Sequence, residues 1–154
     1  MKSIQKILVQ KQMDELIQSY MNGKQQATTS AGWIQSIRLA LGMSLRQLAE
    51  KIGISVSALN NFEKREQADA VTLATLKKAA AAMDMDLVYY FKPKSGSLKN
   101  TIAKQAQNKA REILNQSNQT MKLEDQQTSE MSQQIELERL TQDLINKMPS
   151  NLWD

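Results

Sequence analysis

The sequence predicts a mainly α-helical protein: a core of short helices, one short β-strand, and longer amphipathic helices flanking the core on both sides. Three observations carry this expectation. Apolar residues recur at three- and four-residue steps through most of the chain, and glycines and capping Ser or Thr residues punctuate that pattern between residues 32 and 83. Only Leu87-Val88-Tyr89-Tyr90-Phe91 has the composition of a strand. Glutamine usage marks the same core, since of 18 Gln only Gln35, Gln47 and Gln67 fall between Gly32 and Leu98.

Taken in order, Ile4, Ile7, Leu8, Met13, Leu16, Ile17 and Tyr20 form one face of an amphipathic helix that ends near Asn22-Gly23, followed by a polar linker from Lys24 to Ser30. Trp33, Ile34, Ile37, Ala40 and Leu41 then give a short helix stopped by Gly42. Ser44 caps a second, with Leu45, Leu48, Ala49 and Ile52, stopped by Gly53. Ser55 caps a third, whose inward residues are Ala58, Leu59 and Phe62, and Thr72 opens a fourth with Leu73, Leu76, Ala79, Ala80 and Met83 facing in. The strand signal follows, bounded by Asp86 and Lys92-Pro93. A lone strand needs a partner for its backbone, either an irregular local segment or the same strand of another subunit across a two-fold axis; the second is preferred. Ser97 caps a fifth helix with Leu98, Ile102, Ala106, Ala110, Ile113 and Leu114 on one side. Met131, Ile135, Leu140, Leu144 and Met148 mark a last helix, stopped by Pro149.

Composition excludes much chemistry. The 154 residues contain no Cys and no His, which removes disulfides, thiolate or imidazole metal sites, Cys nucleophiles and every Ser-His or Cys-His pair. Asp84 with Asp86 and Glu124 with Asp125 are the tight acidic sets, and at helix ends these are solvent-exposed or dipole-favourable rather than catalytic. The chain therefore reads as no enzyme, with no cofactor and no metal. No cleavable signal and no run of roughly 20 apolar residues is visible, so a cytoplasmic protein without membrane association is expected. The net charge of +4 averages two regions: residues 1–122 carry 18 basic and 9 acidic side chains, and 123–154 carry 2 and 7. The tail thus reads as detachable or partner-facing, although charge compensation with the basic helix around Lys99, Lys104, Lys109 and Arg111 is the simpler use of those lysines.

The segment Leu45 to Glu63 has the spacing of a helix-turn-helix. Ala49 is small where the second helix crosses the first, Gly53 tolerates the positive φ of a tight turn, and Leu59 and Phe62 anchor the second helix. That leaves Ser55, Val56, Ser57, Asn60, Asn61, Lys64 and Arg65 on or beside the outer face of helix 55–65. Asn bonds adenine bidentately, Ser bonds several base edges, and a Val methyl meets the thymine methyl in the major groove. Arg46, Gln47, Lys64 and Arg65 sit near the helix ends, where such side chains reach phosphates. The bland reading is that these are solvated polar residues. Raw charge is a poor argument here, since residues 31–66 hold five basic and three acidic side chains.

On these residues the chain resembles the lambda-repressor-like helix-turn-helix domains of the Xre family over about residues 32–83. More closely, it resembles the small bacterial family called mobile mystery protein A. The likeness is carried by Gly32-Trp33-Ile34, Leu41-Gly42-Met43-Ser44, Gln47-Leu48-Ala49, Asp86-Leu87-Val88-Tyr89-Tyr90, Thr120-Met121 with Leu123-Glu124-Asp125-Gln126, and Leu152-Trp153-Asp154. The resemblance implies a DNA-binding, antitoxin-like transcriptional regulator, a repressor, encoded beside a Fic-domain partner. Xre domains often place Gln where this chain has Leu45 and Val56, and an apolar pair cannot make that amide contact to the backbone. Small inhibitors of Fic enzymes carry Ser/Thr-x-x-x-Glu followed by Gly or Asn. That spacing occurs at Thr120 to Glu124 and Ser132 to Glu136, but Asp125 and Leu137 follow, so direct active-site inhibition is not implied.

The expected organisation is an N-terminal helix and linker (1–30), a helix-turn-helix domain with its strand (31–93), a basic helix and linker (94–122) and an acidic C-terminal helix (123–154). The expected function is a homodimeric regulator reading double-stranded DNA with helix 55–65. The alternative is an interaction protein whose terminal helices hold a Fic-domain enzyme, with DNA binding secondary.

Overall fold

The computed structural model describes residues 3–22, 29–123 and 129–154. Among these there are seven helices and no strand: α1 (Ser3–Met21), α2 (Trp33–Ala40), α3 (Leu45–Ile52), α4 (Val56–Gln67), α5 (Leu73–Ala82), α6 (Leu98–Leu123) and α7 (Glu130–Lys147). The linker from residue 24 to 28, the Glu124-Asp125 pair and the end of the Thr120-to-Glu124 spacing lie outside the described residues. The chain divides into two compact units, a central one from Gln25 to Tyr89 and a terminal one made of Met1–Lys24 with Tyr90–Asp154.

The central unit packs α2 to α5 around Ile34, Leu48, Ala49, Leu59, Ala79 and Met83, with Ile37, Leu45, Ile52, Ile54, Phe62 and Leu76 partly buried against them. Local chemistry sets the helix ends. Ser44 accepts from the Gln47 amide while the Gln47 side chain accepts from the Ser44 amide, a reciprocal cap on α3. Ser55 and Thr72 cap α4 and α5 through the amides of Ala58 and Thr75. Gly32, at φ 80°, offers α2 no side-chain cap; instead the Glu66 carboxylate accepts from the Trp33 and Ile34 amides at 2.7 and 2.9 Å. A carboxylate at a helix N-terminus satisfies orphan donors and meets the positive end of the dipole. Four residues of this unit expected to face inward do not: Trp33, Ala40, Leu41 and Leu73 are exposed.

The expected strand at 87–91 is absent. After the Met85 amide bonds the Ala80 carbonyl, no backbone hydrogen bond forms until the Gly96 amide meets the Pro93 carbonyl. Strand propensity cannot substitute for a ladder, and among the described residues no segment pairs with this one. Leu87 and Val88 instead line an apolar cleft of about 340 Å³ with Trp33, Ile37, Leu76 and Met83. Tyr90 belongs to the terminal unit, where its ring stacks on Tyr20 at 5.5 Å.

In the terminal unit α6 packs on α1 and α7. Ala106 and Ala110 are fully buried on α6, where small side chains let neighbouring backbone approach closely. Leu152 is buried, and the Gln105 and Lys109 side chains donate to the carbonyls of Leu152 and Asp154 at 2.8 and 3.2 Å. The segment following α7 is thus held by α6. Among the described residues, the ion pairs of α6 and α7 all lie within one helix: Lys109–Glu112, Arg139–Glu136 and Lys147–Asp143. Asp14 of α1 caps α6, accepting from the Leu98 and Lys99 amides at 2.6 and 3.0 Å and from the Gln10 amide at 2.6 Å. Desolvation pulls the Asp14 carboxyl upward, but these donors outweigh it and hold its pKa below the usual value.

Candidate nucleic-acid interface

The turn between α3 and α4 is built by Gly53, which ends α3 at φ 82°, ψ 34° and returns its amide to the carbonyls of Ala49 and Glu50. The Ile54 amide also bonds the Ala49 carbonyl, and Ile54 drops its side chain against the core. Ala49 is 1% exposed, as expected where a second helix crosses.

Helix α4 is then fixed along one stripe, at three successive turns. Leu59 is fully buried in the core. Four residues on, the Glu63 carboxylate takes two bonds from the Arg38 guanidinium of α2, at 2.6 and 3.1 Å, both side chains being nearly inaccessible. Arg38 also donates to the Met43 carbonyl at 3.0 Å. Three residues further, Glu66 caps α2. Arg38 and Glu63 were not among the expected core or site residues. The signal was present, because Arg38 lies four after Ile34 and Glu63 four after Leu59, each on its helix's apolar stripe.

With Leu59, Glu63 and Glu66 inward, the same helical step places Ser57, Asn61 and Lys64 outward, all exposed, with Arg65 beside them. Asn60 is half-buried on the flank, and Val56 is exposed at the first turn. The side chains of Ser57, Asn60, Asn61, Lys64 and Arg65 make no hydrogen bond or ion pair among the described residues, so their donors and acceptors are uncommitted, and those of the exposed Ser57, Asn61, Lys64 and Arg65 face solvent. Ser55 has its oxygen committed to the cap of α4, while its O–H remains able to donate.

Arg46 and Gln47, on the first turn of α3, are exposed. Arg46 pairs with Glu50 at 2.9 Å, but both side chains are well exposed, and such a pair is worth little and is readily exchanged. Gln47 uses its oxygen in the cap of α3 and keeps its amide N–H groups outward. Leu45, by contrast, is half-buried against the core. The arrangement is one exposed polar face of α4 with cationic and amide groups at its margins.

Residues 34–90 match the family model described as Helix-turn-helix. The match spans the core of the central unit, the turn and the exposed face of α4. No curated protein and no solved structure gives a significant match. Among the described residues no cluster of three or more acidic, His or Cys side chains could hold a metal ion, and no helix is long and apolar enough to cross a membrane. The apolar cleft of the domain includes one charged side chain, Asp86.

Proposed function

We propose that the protein is a sequence-specific DNA-binding regulator that inserts α4 into the major groove. The observation that carries this reading is the outward stripe of Ser57, Asn61 and Lys64, free of intramolecular bonds and held in one direction by Leu59, Glu63 and Glu66. Asn61 reads adenine through its amide, with Asn60 on the flank; Ser57 contacts a base edge; Val56 meets a thymine methyl. Lys64, Arg65, Arg46, Gln47 and the Ser55 hydroxyl bind phosphates and set register. The domain working in this way is residues 31–93, between the helix and linker of 1–30, the basic helix of 94–122 and the acidic helix of 123–154. Acting as a homodimer, it presents two copies of α4 about 34 Å apart and reads a palindrome.

The resemblance to mobile mystery protein A supports a narrower reading: an antitoxin-like repressor of an operon that also encodes a Fic-domain partner. Trp153, exposed beside the buried Leu152, is available to such a partner. Co-purification with the neighbouring gene product, lost on Trp153→Ala, tests that extension.

The DNA reading is tested by selecting binding sites from a random duplex pool and titrating the winner by fluorescence anisotropy. A selected palindrome that outcompetes scrambled DNA supports the reading, with Lys64→Ala lowering affinity for all duplexes and reducing the salt slope by about one. Equal binding to selected and scrambled duplexes would sink it.

A further inference from the structure

The apolar cleft of the central unit has α2 along one side, α5 along another and the segment after α5 closing a third. Ile34, Ala79 and Met83 form its floor as buried members of the core. Ala79 and Ala80 present only methyl groups from α5, so that helix leaves room there. Leu87 and Val88, expected to lie in a strand, complete the walls without entering any backbone ladder. At about 340 Å³ the cleft lies at the lower end of the range that takes small organic ligands.

Its polar groups select the charge of a ligand. Asp86 is the one charged residue among those that line it, and the Asp86 carboxylate makes no hydrogen bond or ion pair among the described residues. Trp33, also on the lining and 54% exposed, offers an open indole. A tryptophan face and a carboxylate both attract a cation. An anion meets the opposite conditions. The first two amides of α2, which could hold an anion at this end of the cleft, are already taken by the Glu66 carboxylate at 2.7 and 2.9 Å, and no Lys or Arg is among the lining residues. A neutral occupant would cover part of Asp86 without giving it a partner.

We propose that this cleft binds a small organic cation, an ammonium group carried on an apolar tail. The tail packs on Leu76, Ala80 and Met83, and the head group meets the Trp33 indole and the Asp86 carboxylate. Ile34, Ala79 and Met83 share one buried cluster with Leu59 of α4, so occupancy stabilises the same core that carries α4. The site goes beyond the DNA reading and does not rest on it.

Hexyltrimethylammonium, 1-hexanol and hexanoate, which share an apolar tail and differ in head-group charge, are titrated into the full chain without DNA. Trp33 fluorescence in a Trp153→Phe background reports on the cleft, since these are the two tryptophans of the chain. The ammonium is expected to saturate with a Kd on the order of 1 mM, at least about fivefold tighter than the alcohol, with hexanoate weaker still. Asp86→Asn should weaken the ammonium about fivefold and leave the alcohol unchanged. Asp84→Asn, which removes the same charge from an exposed residue outside the lining, should change the ammonium less than about twofold. Trp33→Leu, read by calorimetry, should also weaken the ammonium about fivefold. Melting curves equal to wild type show that the two Asp variants remain folded. No saturation by the ammonium, equal or tighter binding of 1-hexanol or hexanoate, or an Asp86→Asn protein that binds the ammonium as wild type does would overturn the inference. Each of those results leaves the DNA reading standing, and a protein that takes the ammonium but selects no DNA site would do the reverse.

Discussion

Removing one partner of the Arg38–Glu63 pair should be far more damaging than removing both. Glu63→Ala leaves the Arg38 guanidinium nearly inaccessible to water with the Met43 carbonyl as its remaining acceptor. Breaking a buried pair in this way costs about 3–5 kcal/mol. The central unit, about 65 residues long, has an expected stability on the order of 3–10 kcal/mol, so the loss is comparable to the whole. Glu63→Gln keeps a neutral acceptor for the guanidinium and should lie between Glu63→Ala and wild type. The double variant Arg38→Met with Glu63→Leu removes both charges, and such replacements are often neutral or stabilising, so it should stand within about 1 kcal/mol of wild type. The assay is urea unfolding followed by tryptophan fluorescence in a Trp153→Phe background, which leaves Trp33 of the central unit as sole reporter. For a slope of about 1–1.5 kcal/mol per molar, the Glu63→Ala midpoint falls by about 3 M. A loss below about 1 kcal/mol for Glu63→Ala, or a double variant as damaged as the single, would refute the claim that this pair is buried and fixes α4 to α2.

The two turn glycines should separate. Gly53→Ala meets nothing within 4 Å and should cost only the backbone strain of positive φ, about 1 kcal/mol. Gly32→Ala adds a Cβ 2.9 Å from the Glu66 carboxylate and should displace the cap of α2 as well, for a total of about 2 kcal/mol by the same urea assay. In the terminal unit, Asp14→Ala should cost about 1 kcal/mol near neutral pH. Because the folded Asp14 carboxyl titrates below its usual 3.8, its contribution is complete above that value and fades as pH falls through the lowered one. Thermal melts of wild type and Asp14→Ala should therefore converge below about pH 4, and a constant gap would contradict the cap. Leu152→Ala removes a fully buried side chain and should lower the stability of the terminal unit by about 2–5 kcal/mol, read from Trp153 fluorescence in a Trp33→Phe background.

Features decided within four residues were legible in the sequence. Ser44, Ser55 and Thr72 cap the helices they were expected to cap, and Gly53 adopts the left-handed turn that its place in the helix-turn-helix demands. Features that depend on what arrives from elsewhere were not. Leu87 to Phe91 has strand composition, but a strand is a relation between two segments, and this chain gives those side chains other contacts. The buried side of α1 is largely polar because Asp14 and Lys6 serve backbone groups more than 80 residues away, while the apolar residues remain outside. Arg38 and Glu63 were not singled out in the sequence, although each lies on its helix's apolar stripe and the two meet only once α2 and α4 pack. The outward residues of α4 followed from the helical period, with one shift: Asn61 is central to the exposed face and Asn60 lies half-buried at its edge.

That shift supplies the most direct test of the central claim. With the selected duplex in hand, the affinities of wild type, Asn61→Ala and Asn60→Ala are measured against the selected and scrambled sequences at one fixed salt concentration. Losing a bidentate base contact costs about 1–3 kcal/mol of discrimination. Asn61→Ala should therefore lose about 10- to 100-fold on the selected site and little on scrambled DNA, with a smaller loss for Asn60→Ala. An Asn61→Ala protein that binds both duplexes as wild type does would contradict the claim that the outer face of α4 reads the sequence.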